Sequence, residues 1–208
     1  MDTNTLIARA LAFGFTNAGP LNAATLNPRP EVRDMCAADR CRHYGKSWTC
    51  PPACPSLEHN KALLANYKSG ILVQSTGAPE DEFDLEGMYE IGRVHMRRFH
   101  ALHKALREEY PGLLALGAGA CELCGACAYP DAPCRRPDDA VTSMEAFGLV
   151  VSDACTANGM KYNYGPGTMT FTGCFLVGEI VETHGKCFCS ETHCRASLHE
   201  SRHNPYGK

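Results

Sequence analysis

Apolar positions recur along this chain in two periods, and the switches between them outline the elements. Leu6, Ile7, Ala10, Leu11 and Phe13 repeat at helical spacing, so residues 3–13 read as a helix closed by Gly14. Residues 15–21 read as a short strand, weakened by Gly19 and Pro20, and the Pro-rich run at 27–30 as a connector. Ser56 stands where an N-cap belongs for a helix over 57–68, with Leu57, Leu63, Leu64 and Tyr67 as its apolar face. Gly70 stops it, and the run ILVQS at 71–75 reads as a buried strand.

An acidic loop leads to the longest element, a helix over 84–109. Its stripe is Leu85, Met88, Gly92, Met96, Phe99, Leu102 and Leu106, and Pro111 and Gly112 stop it. A strand at 113–119 follows. Ser143 then caps a short helix through Phe147, residues 149–151 read as a short strand, and 168–177 alternate with β-branched and aromatic residues, the strongest strand signal present. This order predicts an α+β fold: a mostly antiparallel sheet covered by helices on one face, with two cysteine-rich cluster-binding loops at its ends. The main domain spans 1–180, and a Cys/His-rich extension occupies 181–208.

Composition changes this picture at one point. The hydrophobic share of 44% and charged share of 21% are ordinary for a globular chain, and a net charge of −3 argues against nucleic acid as a partner. Thirteen cysteines are not ordinary: the number is odd and the positions are clustered, which favours metal ligation over a disulfide framework. The N-terminus interrupts its apolar run with Arg9 and lacks a basic leader, and no stretch reaches the roughly eighteen apolar residues of a membrane span. These features predict a cytoplasmic protein without a membrane partner, in a compartment that keeps thiols reduced.

The strongest chemical signal is the array C-x2-C-x2-C-x6-C formed by Cys121, Cys124, Cys127 and Cys134. Three thiols two residues apart do not converge from a strand or a helix. They converge when a tight loop wraps an inorganic core, as in the evenly spaced cysteines of bacterial ferredoxins. Small residues Gly125, Ala126 and Ala128 let the backbone approach and aim N–H groups at sulfur. Zinc sites usually take cysteines as two separated pairs, which this spacing fits less well.

A second array, C-x4-C-x8-C-x3-C, is formed by Cys36, Cys41, Cys50 and Cys54. Pro51 and Pro52 prevent a regular helix across its last pair. Its two separated pairs suit zinc as well as an iron–sulfur cluster, and spacing leaves both open. Trp48, the sole tryptophan, either shields a cluster or simply packs in the core. Arg40, Arg42, Lys46, Arg135 and Arg136 are placed to offset cluster charge. His95, His100 and His103 do not converge on one helical face and are expected to be packed or solvated.

Several groups stay unassigned. Cys187, Cys189 and Cys194, beside His184 and His193, suggest a third metal site, zinc or iron–sulfur, in the extension. Cys155 joins them as a candidate, whereas Cys174 inside a strand reads as a small buried hydrophobe. Glu145 is the one acidic residue beside the later array worth testing for catalysis. The G-x-G at 117–119 runs into cysteines instead of a helix, which excludes a dinucleotide fold.

The pair Cys36/Cys41, the segment YGKSWTCPPAC at 44–54, the segment CELCGACAYPDAPCRRP at 121–137 and SMEAFGLVV at 143–151 together resemble a family labelled predicted metal-binding protein, a domain of unknown function. The resemblance implies metal held by the eight cysteines, with iron–sulfur as the leading form, and it supplies no reaction. Two [4Fe-4S] clusters with all ligands from cysteine favour one-electron transfer to a redox partner protein. A metalloenzyme acting on a bound substrate and a zinc-stabilised binding module are the alternatives.

Overall fold

The computed structural model describes residues 2–178. The 181–208 extension, with Cys187, Cys189, Cys194, His184 and His193, lies outside the described residues. Helix α1 (Thr3–Ala12) is capped by Asp2, whose carboxylate accepts the Asn4 N–H at 3.1 Å. Strand β1 (Asn17–Asn22) keeps Gly19 and Pro20 because it lies at the sheet edge, where a missing N–H is tolerated. Helix α2 (Pro30–Ala37) was not expected. Its signal is Pro30 in the first turn with Glu31 beside it, and it carries Cys36 in its last turn.

Ser56 caps α3 (Leu57–Leu64) as expected, accepting the His59 N–H at 3.2 Å. The helix is shorter than predicted, because Tyr67 already belongs to β2 (Tyr67–Gly77). Helix α4 (Leu85–Glu109) matches its expected span and is capped by Asp84. Strand β3 (Leu113–Leu116) ends before the cysteines, and β4 (Met169–Gly178) is the strand read from alternation. Two short elements differ from expectation. The 143–147 segment is a single turn, closed by the Phe147 N–H on the Ser143 carbonyl, and in place of the strand expected at 149–151 the chain runs into helix α5 (Val151–Ala157). Val150 and Val151 carry a strand propensity that the surrounding packing overrides.

The sheet runs β1-β2-β4-β3, with every neighbouring pair antiparallel. Alternation along β2 and β4 divides the core in two. Ile71, Val73 and Phe175 face α1 and α4, meeting Leu6, Ala10, Phe99, Leu102 and Leu106. Leu72, Cys174 and Leu176 face the other way, meeting Leu64, Met144, Phe147, Leu149 and Cys155. The expectation of helices on one face is therefore corrected: α5 and the 144–149 segment cover the second face. That is why β2 reads as a continuous apolar run rather than an alternating one.

Phe99 stacks on Phe175 with centroids 4.4 Å apart, docking α4 onto the strand. His95 on the same helix is fully buried between Phe15, Phe99 and Phe171, with Nδ1 3.1 Å from Ser75 Oγ. Burial pushes its pKa down to about 3, and nearby Arg98 adds to the effect. No helix among the described residues is long and apolar enough to cross a membrane.

Two outcomes test this packing. A Cβ at Gly70 would lie 2.1 Å from the Phe175 carbonyl oxygen and 2.9 Å from Leu176 Cα, both backbone atoms in the central pairing. Gly70→Ala is expected to cost at least about 3 kcal/mol, read as a fall in Tm of roughly 10 °C. His95 is neutral when folded, whereas in the unfolded chain it takes up a proton below its ordinary pKa of 6.5, so its contribution to stability is lost as pH falls from 6.5 towards 3. Lowering pH from 6.5 to 5 is expected to remove about 2 kcal/mol through this group, and His95→Gln should flatten that part of a denaturant-monitored pH profile.

Candidate metal centres

The later cysteine loop is an excursion pinched at its base. Strand β3 delivers Gly117, whose N–H donates to the Thr142 carbonyl and whose carbonyl accepts the Met144 N–H, both at 3.0 Å. Between these points Cys121, Cys124, Cys127 and Cys134 line a single hollow with Leu123, Ala128, Arg135, Arg136 and Ala140. Arg135 donates to the Ala126 carbonyl, and Arg136 Nη1 donates to the Leu123 carbonyl at 3.4 Å. The two arginines thus brace the loop from within the hollow while bringing positive charge to it. A charge chain ties this to α4: Arg136 pairs with Asp139 at 2.9 Å, and Asp139 pairs with Arg107 at 2.8 Å. Burial alone would raise the Asp139 pKa, but the hydrogen bonds from Arg136 and Arg107 hold it below the usual range.

The other three sulfurs of this loop act on Cys121. Burial raises the Cys121 pKa most, and the charges of Cys134, Cys127 and Cys124 add to it, while the Leu123 N–H on its sulfur works in the opposite direction. That N–H is of the kind the small residues were expected to free.

The earlier loop gathers its four cysteines from different elements: Cys36 from α2, Cys41 from the following turn, and Cys50 and Cys54 from the segment before α3. Burial raises Cys36, Cys50 and Cys54, with Cys54 pushed up to about 11. Cys41 adds to the shifts of Cys36 and Cys50, and Cys50 and Cys36 add to that of Cys54. The hydroxyls of Ser47 and Thr49, which share a hydrogen bond at 2.9 Å, offset the burial of Cys50 in part. Cys54 Sγ donates to the Ala146 carbonyl at 3.6 Å.

Sequence reasoning missed Arg33. Its cation favours the thiolates of Cys36 and Cys54, its Nη2 donates to the Pro55 carbonyl at 2.7 Å, and its buried Nε has no hydrogen-bond partner. A buried guanidinium N–H with no partner beside crowded thiols fits an anionic group held there, because leaving it unmet costs free energy. Its signal was position alone, one helical turn before Cys36 on a helix that was not predicted. Arg40, Arg42 and Lys46, which were predicted for this role, are exposed, and Lys46 Nζ caps the Arg42 carbonyl.

Glu145 also falls elsewhere than expected. The 143–149 turn is held to α3 by Asn60 Nδ2 on the Phe147 carbonyl at 2.9 Å, so Glu145 acts on Cys36 of the earlier loop. Its side chain reaches solvent, yet the protein packed about its carboxyl raises its pKa. Cys155 and Cys174 are wholly buried in the core face of α5 and β4, and burial pushes Cys174 up to about 12, where the thiol keeps its proton. His100 and His103 pack along α4, both lowered by burial, His103 to about 4. Among the described residues no three His, Cys, Asp or Glu side chains stand as a group poised for one metal ion.

The chain belongs to the family described as predicted metal-binding protein (DUF2284), whose model matches residues 20–177 and so takes in all eight cysteines of the two loops. No curated protein matches it. Among solved structures it is similar to epoxyqueuosine reductase from Bacillus subtilis, at 12% identity and a TM-score of 0.41, covering 88% of this chain and 49% of that one. The chain spans about half the length of that structure.

Arg33→Leu tests the earlier loop. It is expected to speed loss of metal to a competing chelator by about tenfold, as for other residues that support ligands from behind. An unchanged rate would leave Arg33 only its bond to Pro55.

Proposed function

As a member of that family, the chain, we propose, is an iron–sulfur protein that holds two [4Fe-4S] clusters and passes single electrons to a partner enzyme. Cys121, Cys124, Cys127 and Cys134 would hold one, and Cys36, Cys41, Cys50 and Cys54 the other. The carrying observation is the hollow lined by all four cysteines of the later loop with Arg135 and Arg136 on the same wall. An all-cysteine donor set with flanking cations suits a polynuclear thiolate group, whose net charge is negative. Such clusters, when bound, supply one-electron chemistry at potentials set by charge, hydrogen bonds and burial.

This chain's own residues account for the tuning. Burial of Cys50 and Cys54 keeps water from one side of the earlier site, while Cys41 stands exposed on the other, and the hydroxyls of Ser47 and Thr49 favour the Cys50 thiolate. Arg33 supplies the positive charge there, as Arg135 and Arg136 do at the later site. Every thiol must lose its proton on ligation, so loading releases protons and is opposed by acid. With four cysteines at each site, no coordination position is left over for substrate, which favours transfer over catalysis at the metal.

Protein purified without oxygen is expected to be brown, to carry about eight iron and eight sulfide per chain, and to bleach with dithionite. Cys124→Ser should remove about half of the iron. Colourless protein with stoichiometric zinc would replace this reading with a zinc-stabilised module.

A further inference from the structure

The two cysteine loops are far apart in sequence but touch in the fold. Trp48, two residues before Cys50, is buried, and its Nε1 donates to the Ala132 carbonyl at 3.0 Å. Its indole meets the Tyr129 ring edge-to-face, with centroids 4.9 Å apart and planes at 88°. Tyr129 and Ala132 both lie between Cys127 and Cys134. A second point of approach lies on the other side, where the Cys54 thiol, until ligation takes its proton, donates to the Ala146 carbonyl at 3.6 Å, just past the pinched base of the later loop. The earlier loop thus meets the later one within its span, at Tyr129 and Ala132, and approaches the chain just past its end, at Ala146.

We infer that Trp48 is a positioning residue that couples the two cysteine sites, so that closing either loop around its metal favours loading of the other. The inference rests on the reading that both loops bind metal. Its physical basis is short. Closing the later loop fixes the 129–132 segment, and the indole N–H and ring then hold residue 48, and with it Cys50, in place. An ordering cost met once at the first site is not met again at the second, which is positive coupling between sites. A tryptophan serving only the core would make neither a hydrogen bond nor a ring contact to the other loop. Trp48 makes both.

The test is native mass spectrometry of the full chain under anaerobic conditions, titrated with iron and sulfide, counting empty, singly and doubly loaded chains. Two independent equal sites give about one half singly loaded chains at half saturation, and tenfold coupling lowers that to about one quarter. Wild type is expected at or below one quarter. Trp48→Phe, which removes the N–H, and Tyr129→Leu, which removes the ring partner from the opposite loop, should each raise the singly loaded share by about twofold. Both should still load fully at excess, so that a folding defect is separated from a coupling defect. Wild-type chains singly loaded at about one half, or both variants titrating as wild type does, would overturn the coupling while leaving the two sites intact. Wild type that takes up no iron at all would overturn the two-cluster reading and the coupling with it.

Discussion

The pairing of β2 with β4 is the constraint on which the rest of the fold depends. It runs from Tyr67 opposite Gly178 to Gly77 opposite Met169, and it is buried on both faces. A ladder covered on both sides must be apolar on both, and close approach must be kept where a side chain from one strand would strike the backbone of the other. Gly70 and Gly173 meet that need, the latter leaving room for the Phe99 ring. Once this ladder is set, β3 joins its far edge and the later cysteine loop emerges beside it. On the second face, the 144–149 turn carries packing from the core to α3 and from there to the earlier loop.

Much of this was legible in the sequence because it rests on local chemistry. Ser56 and Asp84 are caps whose side chains act within three residues, and the stripe on α4 follows the helical period. The cysteine arrays were legible for the same reason, since spacing along a loop states which thiols can converge. The two-sided sheet was not, because a continuous apolar run at 71–75 fits a strand buried on one face or two. Helix α2 was hidden by the prolines around it, although Pro30 is a favourable start, not a break.

What the sequence concealed altogether was contact between distant segments. Trp48 lies eighty-four residues from Ala132, and Cys54 lies ninety-two from Ala146, so no periodicity could join them. Glu145 was assigned to the loop nearest in sequence, whereas Asn60 draws its turn to the other one. Arg33 went unnoticed for a related reason: its importance comes from an unmet N–H beside sulfur, a property that only packing creates.

The pinch at Gly117 bears on how this architecture is able to vary. Two backbone hydrogen bonds close the base of the later loop, and they involve main-chain atoms only. Whatever lies between them is therefore a cassette: residues inserted or removed near its tip leave the register of β3 against β4 untouched. The long gap between Cys127 and Cys134 sits within that cassette. Change there spares the sheet, but between Cys127 and Cys134 it is bounded by Tyr129 and Ala132, which meet Trp48 of the earlier loop.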